Sequence, residues 1–369
     1  MSDLLPGNST PFERAMSLST DVLPTLLPAT VTMRGIKFQV PPASFLPFLE
    51  YEFGLGAISG YFTDPRVAIS EGLAWQRILG TPGAINKALG WINYAASIEP
   101  FPVRRKRWNL FMLAMAGLPA HEEPDLNQIE DLARLSAPLR SKFWRGFRTY
   151  DIRAVEYGYN AWGSTAWSNY SGARIHAGGA KWSFGRDYQI AHSMTQAELT
   201  ALGVWIAPSG GSSLTWGAYS WAGAAAAWVS TSDAVRLPLM TSGVLGRPTW
   251  IVFRDSSDAI IGYRRARVVR GVALDAAGQY SVNGIKLLAL SSNATSVYVE
   301  AMTDFGDGYG HTAAKWSLLF DAVPVDTTKP GLAWAGPGEL TSGTETITTT
   351  QTIEFRRTVR ERFRVLLNF

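Results

Sequence analysis

The 369-residue chain contains no cysteine. Disulfides, thiolate metal sites and cysteine nucleophiles are therefore excluded. Charge is sparse as well, with Asp, Glu, Lys and Arg making up only 17% of residues. The 4 histidines are His121, His176, His192 and His311, and no two stand three or four residues apart. His121-Glu122-Glu123 thus lacks the second His that a zinc-binding helix requires. The longest apolar runs, near Leu110–Leu118 and Ala222–Val229, fall far short of the ~20 residues that span a bilayer. The opening MSDLLPGNST has no basic segment followed by an apolar one, so no signal peptide is read. The sequons at Asn8, Asn169 and Asn293 then carry no meaning. The expectation is a soluble protein made inside a cell.

Hydrophobic residues account for 46% of the chain and aromatics for 12%, including 14 Trp. That is a globular composition. Abundant aromatics with little charge also suit a chain whose surface is covered by other proteins. The net charge of +4 is concentrated in Arg104–Arg107 and in the Arg-rich span Arg356–Arg364. Neither cluster by itself implies nucleic acid, and neither a nucleic-acid nor a membrane partner is expected.

Four segments emerge along the chain. Residues 1–63 are divided by Pro6, Pro11, Pro24, Pro28, Pro41, Pro42 and Pro47 into short pieces and read as an arm. In it, Thr10-Pro11-Phe12-Glu13 is a helix start with a capping box. A second short helix is expected over Ala43–Phe53, with Phe45, Leu46, Phe48, Leu49 and Phe53 as its apolar side. Residues 64–147 read as a helical domain. Asp64-Pro65 opens one helix and Gly80 ends it. Thr81-Pro82 opens the next, with Ile85, Ala88, Leu89 and Ile92 on one face. Asp125-x-x-Gln128 caps a third.

Residues 148–330, Trp- and Gly-rich, read as one or two β domains with a break near 240. "TWIVFRD", "IIGYRRARVV", "SVYVEAMTD" and "KWSLLF" are the clearest strands. Residues 331–369 form a linker and a terminal strand. There, odd-numbered Phe355, Val359, Phe363, Val365 and Leu367 alternate with even-numbered Arg356, Arg360, Arg362 and Arg364. Period two predicts one long strand that pairs with another chain or covers a sheet edge. The fold class is α+β: a helical N-terminal half with a partner-binding arm, and a β-rich C-terminal half ending in a long strand.

Site chemistry is thin. "GTPGAINKALGWINY" (Gly80–Tyr94) resembles a phosphate loop only superficially, because Pro82 removes a backbone donor and no Gly-Lys-Ser/Thr follows. Thr81, Pro82, Ile85 and Leu89 are assigned a structural role at a helix junction. Asp304-Phe-Gly-Asp307-Gly-Tyr-Gly reads as a Gly-rich turn, lacking the ligand ladder of a calcium loop. Carboxylate pairs drawn among Asp233, Asp255, Asp258, Glu300 and Asp304 arise by chance in any β domain, so a hydrolase is disfavoured. Trp162, Trp167, Trp182, Trp205, Trp216 and Trp221 offer a glycan-binding face, with Trp162, Trp167, Trp216 and Trp221 the glycan- or fibre-contact candidates. Core and interface roles for these rings weigh more. No catalytic residue, cofactor or metal site is assigned.

Five stretches in order resemble the phage tail protein I family. They are "LLPGNSTPFERAM" (Leu4–Met16), "FLPFLEYEFGL" (Phe45–Leu55), "WQRILGTPGAINKALGWI" (Trp75–Ile92), "APLRSKFWRGFRTYDIRA" (Ala137–Ala154) and "SGARIHAGGAKWSFGR" (Ser171–Arg186). The family's His and basic residue at the Gly-Thr-Pro junction are Gln76 and Leu79 here, and its Trp-Asp pair is replaced by "GLGAISGYF". The resemblance spans about residues 1–190.

The resemblance implies a non-enzymatic wedge subunit of a contractile-tail baseplate, located in the virion and made in the host cytoplasm. Its partners would be two copies of a larger baseplate J-like protein. Neighbouring hub or sheath-initiating proteins and a tail fibre would complete the set. The expected contact residues are Leu4, Leu5, Phe12, Phe45, Leu46, Phe48, Leu49 and Phe53 in the arm, with Phe355, Arg356, Arg360, Arg362, Phe363 and Arg364 in the terminal strand. A fibre-adaptor or glycan-binding role for the C-terminal half is the alternative.

Overall fold

A computed structural model describes residues 5–35, 41–100, 108–149, 170–208 and 233–369. Leu4, Arg104–Arg107, Trp162, Trp167, Trp216 and Trp221, singled out above, lie outside the described residues. The chain forms two compact units, one of residues 1–94 with 135–139, the other of 95–134 with 140–369. No helix among the described residues is long and apolar enough to cross a membrane.

The first unit is helical: α1 (Pro11–Ser19), α2 (Leu23–Gly35), α3 (Leu46–Glu52), α4 (Pro65–Gln76) and α5 (Pro82–Trp91). Its starts follow the local sequence. Thr10 and Glu13 close a reciprocal capping box, with Glu13 N–H donating to Thr10 Oγ1 and Thr10 N–H to Glu13 Oε2 at 2.7 Å. Asp64 accepts from Arg66 N–H, and Thr81 accepts from Ala84 N–H. Each cap is followed by Pro at the first helical position, where its missing donor costs nothing. Leu49, Ala68, Ile69, Trp75, Ile85 and Leu89 are buried. Ile92, expected beside them, is only half-buried.

The Gly-Thr-Pro junction has a structural use. Gly80, at φ +81, ends the turn after α4, a backbone conformation that favours glycine. Its N–H donates to Ser136 O at 3.0 Å, and Trp75 Nε1–H donates to Ser136 Oγ at 3.0 Å. The junction therefore anchors residues 135–139 to the first unit.

The second unit is organised around a large mixed sheet. Its elements are β1 (Ala96–Pro100), β2 (Leu110–Met115), α6 (Asp125–Ser136, whose last two residues belong to the first unit), β3 (Lys142–Arg148), β4 (Lys181–Ser193), α7 (Gln196–Ala201), α8 (Asp233–Val244), β5 (Thr249–Arg254), β6 (Ile260–Leu274), β7 (Tyr280–Val282), β8 (Ile285–Ala289), β9 (Ser296–Met302), β10 (Thr312–Phe320), β11 (Trp334–Ala335), β12 (Thr344–Glu354) and β13 (Val359–Asn368). The strand order is β1-β2-β3-β4-β13-β9-β6-β5-β10-β12, with β11 and β8 also pairing β6 and β7 pairing β8.

Two expectations need correcting. Residues 64–147 are not wholly helical, because β1, β2 and β3 interleave with the helices. The run over β2 is apolar on both faces, with Phe111, Met112, Leu113 and Met115 buried between β1 and β3. Periodicity alone does not separate such a run from a buried helix. β2 and β3 are parallel, which requires a crossover, and α6 supplies it. Asp125 is the first residue of α6, not its cap, and accepts from His121 N–H.

The terminal alternation is likewise two strands and not one. β12 pairs antiparallel with β10 at one end of the sheet path, and β13 inserts between β4 and β9. The turn between them is held by Glu122. Its Oε1 accepts from Thr358 N–H and Oγ1–H, both at 2.6 Å, and its Oε2 accepts from Arg357 N–H. Alternation persists across a turn that carries neither Gly nor Pro, so the break leaves no local mark.

The expected strands near 249–254, 260–269, 296–302 and 315–320 are present as β5, β6, β9 and β10. Helix α7 had a readable start in Thr195-Gln-Ala-Glu198, which closes a second capping box. One sheet face carries the main core, with Phe363, Val365, Val299, Phe253 and Trp316 meeting Met240 and Val244 of α8. Phe363 stacks on Tyr188 at 5.1 Å and meets Trp316 edge-on at 5.2 Å. On the N-terminal side of the sheet, Trp182 lies over Gly146, where a Cβ would sit 2.2 Å from the ring. We expect Phe363→Ala to destabilise the fold by about 3–5 kcal/mol, measured by urea denaturation. A loss under about 1 kcal/mol would mean that β13 is not the centre of this core.

Candidate interaction surfaces

The terminal-strand residues all find partners within the chain. Phe363 and Phe355 are buried in the main core. Arg356 donates to the carbonyls of Pro119 at 2.7 Å and Ala120 at 2.6 Å. Arg360 pairs with Asp304 at 2.6 Å, and Arg362 pairs with Glu300 at 2.9 Å. Arg364 pairs with Asp187, its Nε donating to Oδ1 at 2.9 Å. The Arg face predicted from alternation exists, and Arg360, Arg362 and Arg364 are turned toward acidic side chains that β4, β9 and the turn after β9 present.

Glu300 on β9 is the hub of that face. It is 2% exposed and accepts from Arg267 Nε at 2.8 Å, Arg362 Nε at 2.9 Å and Tyr298 Oη at 2.5 Å. Burial pushes its carboxyl up, but hydrogen bonds from Arg362 and Tyr298 and the charge of Arg267 outweigh it and hold the group below the ordinary carboxylate range. Burial likewise raises the Tyr298 phenol, and the neighbouring carboxylate raises it further. Asp304 and Asp307 sit in the Gly-rich turn, which forms as read. Burial pushes Asp304 up, and Arg360 more than reverses it; Asp307, paired with Arg264 at 2.6 Å, stays raised by burial.

Glu361 was not singled out in the sequence, although it breaks the odd-numbered apolar pattern. It is 1% exposed and accepts from Arg186 Nε at 2.9 Å. Burial pushes its carboxyl up to about 7 against the pull of Arg186.

Two depressions bring charged side chains together. One, of about 410 Å³, is lined by His121, Glu122, Tyr309, His311, Arg356 and Arg357 among others. Arg357 lies over the Tyr309 ring at 4.8 Å. The other, of about 780 Å³, is lined by Arg264, Arg265, Arg267, Glu300, Asp304 and Arg362, with Tyr280 and Leu332 at its sides. Among the described residues no group of three or more His, Cys, Asp or Glu is arranged to hold a metal ion.

The arm differs from these surfaces. No side chain of α1 is buried. Phe12 is 74% exposed, and Met16, Leu18, Leu23, Leu26 and Leu27 are exposed with it. Phe48 on α3 is exposed, while Leu5, Phe45 and Phe53 are half-buried and Leu46 and Leu49 are fully buried. Leu46 and Leu49 are therefore core residues of the first unit. Residues 5–140 match the family model described as phage tail protein (Tail_P2_I).

Over that span the chain is similar to the phage tail protein family. No curated protein matches it. The matched segment holds the arm, α3–α5, β1, β2 and α6, and stops before β3. It supports a structural role in a phage tail, with other tail proteins as partners. The β13-centred part of the sheet lies outside the matched residues.

The Trp residues proposed for glycan contact divide. Trp182 is fully buried, so it offers no sugar platform. Trp205 is half-buried against the main core, with Arg236 5.4 Å from its ring.

Two outcomes test the charged face. Replacing Glu300 by Gln removes the negative charge that two guanidiniums share and turns one of its two acceptor oxygens into a donor, and should cost about 3–5 kcal/mol in urea denaturation at pH 7. The sign for Glu361 is opposite to that of a salt-bridged carboxylate on an open surface. Its folded-state pKa lies above the unfolded value, so the folded state binds the extra proton. Wild type should therefore lose stability relative to Glu361→Gln as pH rises from about 4.5 to about 7, and the difference should level off above that. Urea midpoints of both proteins across pH 4–8 check it; a pH-independent difference would contradict it.

Proposed function

We propose that the chain is a structural, non-enzymatic subunit of a contractile-tail baseplate wedge. The observation that carries this reading is the arm. Helices α1 and α2 carry Phe12, Met16, Leu18, Leu23, Leu26 and Leu27 in the open, within a segment that matches a phage tail family. Isolated helices of 9 and 13 residues are marginal in water. Large apolar side chains exposed in number on two short helices mark a binding site for another protein.

The partner is a larger baseplate J-like protein, with two copies per copy of this chain. The arm contributes its helices to a shared bundle, and Leu5, Phe12, Phe45, Phe48 and Phe53 form its contacts. Burial of several large side chains, each worth about 1.5–3 kcal/mol, offsets the cost of ordering the arm. The wedge helps to transmit receptor contact to sheath contraction at the hub, and the protein resides in the virion tail.

Co-expression with the J-like protein encoded by the same phage tests the reading. A stable complex is expected from the full chain and none from a chain lacking residues 11–35. Equal recovery of the complex without the arm would sink the proposal.

A further inference from the structure

The depression of about 410 Å³ lies wholly within the second unit. Its size falls in the range of small-molecule sites, about 300–1,000 Å³. Besides two histidines, its charged lining is Arg356 and Arg357 against Glu122, Glu123 and Glu354. Glu122, Arg356 and Glu354 are engaged by the fold. Glu122 accepts from the Arg357 and Thr358 backbone. Arg356 donates to the Pro119 and Ala120 carbonyls and, at 2.6 Å, to Glu354 Oε2.

Arg357 and Glu123 are left. The Arg357 guanidinium makes one long contact, from Nη1 to Ile175 O at 3.4 Å, and lies over the Tyr309 ring at 4.8 Å. Among the described residues, its Nε and Nη2 and the Glu123 carboxylate meet no hydrogen-bond partner, and neither does the His311 ring. Tyr309 is 52% exposed.

Three observations select the ligand. The groups left over carry one charge of each sign, so a simple anion meets Glu123 as well as Arg357, and a simple cation meets the reverse. A neutral ligand rich in hydroxyls avoids that conflict, because each hydroxyl can donate to a carboxylate or accept from a guanidinium. Backbone groups at the depression are already bonded: Phe355 N–H donates to His311 O at 3.0 Å, and His311 N–H to Gly308 O at 3.0 Å. They offer little to an extended peptide, which docks through free main-chain groups. Finally, the half-open Tyr309 ring beside Arg357 is an amphipathic wall, apolar on its face and polar at its tip, which suits the apolar face of a sugar ring.

We propose that this depression binds a neutral saccharide, with Arg357 and Glu123 hydrogen-bonding its hydroxyls and Tyr309 packing against a ring. The proposal is independent of the wedge reading, because none of these residues belongs to the arm.

The test applies the full chain to an array of neutral oligosaccharides, namely oligomers of glucose, galactose, mannose and N-acetylglucosamine. Oligogalacturonate and oligosialate serve as anionic comparisons, and a Gly-Ser peptide as an uncharged competitor. Titration calorimetry follows each signal. Saturable binding of at least one neutral oligosaccharide is expected, with little dependence on salt. Arg357→Gln and Glu123→Gln should each weaken it about tenfold or more, the worth of one hydrogen bond to a charged group. Tyr309→Ala should weaken it as well. Lys286→Gln, exposed on β8 and outside the lining, should leave it unchanged. Thermal unfolding is followed in parallel, and should Arg357→Gln or Tyr309→Ala fail to fold, Glu123→Gln decides.

Binding of no neutral oligosaccharide overturns the proposal, as does an unchanged affinity in Glu123→Gln or an equal loss in Lys286→Gln. Equal or tighter binding of the anionic sugars overturns the neutral assignment, and displacement by the Gly-Ser peptide overturns the saccharide in favour of a polypeptide.

Discussion

The second unit depends on the placement of β13. Its residues run parallel to β4 from Val359↔Phe184 to Asn368↔Ser193, and antiparallel to β9 from Arg362↔Met302 to Asn368↔Ser296. The strand therefore joins β1-β2-β3-β4 to β9-β6-β5-β10-β12. Parallel neighbours require a crossover connection, and here the connection between β4 and β13 is most of the C-terminal half. The contacts that complete the sheet are consequently among the most distant in sequence, a topology whose loop-closure entropy must be met before the pairing rewards it.

Alternation then gives β13 two distinct faces. Phe363, Val365 and Leu367 enter the core under α7 and α8, while Arg360, Arg362 and Arg364 meet Asp304, Glu300 and Asp187. Removing a buried guanidinium or carboxylate from such a set leaves its partner uncompensated. Glu361 is the exception to the two-face rule. It is a carboxylate on the core side, tolerated through Arg186 and at the expense of a raised pKa.

The first unit follows a different logic. Its helix starts are local, written in Thr10-Pro11, Asp64-Pro65 and Thr81-Pro82, and each forms as the capping chemistry dictates. The same local rules place Phe12, Met16 and Leu18 on a helix without burying them. Helix formation and helix burial are separate events, and α1 and α2 have the first without the second. Their apolar surface is the physical reason for reading this unit as part of an assembly.

Much of the fold was legible in the residues alone: the caps Thr10, Asp64 and Thr81, the helices α3–α5, the strands β5, β6, β9 and β10, and the Arg-lined alternation of the tail. These depend on interactions within a few positions of one another, which is the range over which propensity and periodicity operate. The partners of Arg360, Arg362 and Arg364 were not legible, because Asp304, Glu300 and Asp187 are 56, 62 and 177 residues away. Nor was the break between β12 and β13, held by Glu122 more than 230 positions earlier. The sequence by itself determined where helices begin and which faces of strands are apolar. Only the tertiary structure decided that the last strand completes its own sheet, because the choice between an external partner and an internal slot is made by hydrogen-bonding edges that no local pattern records.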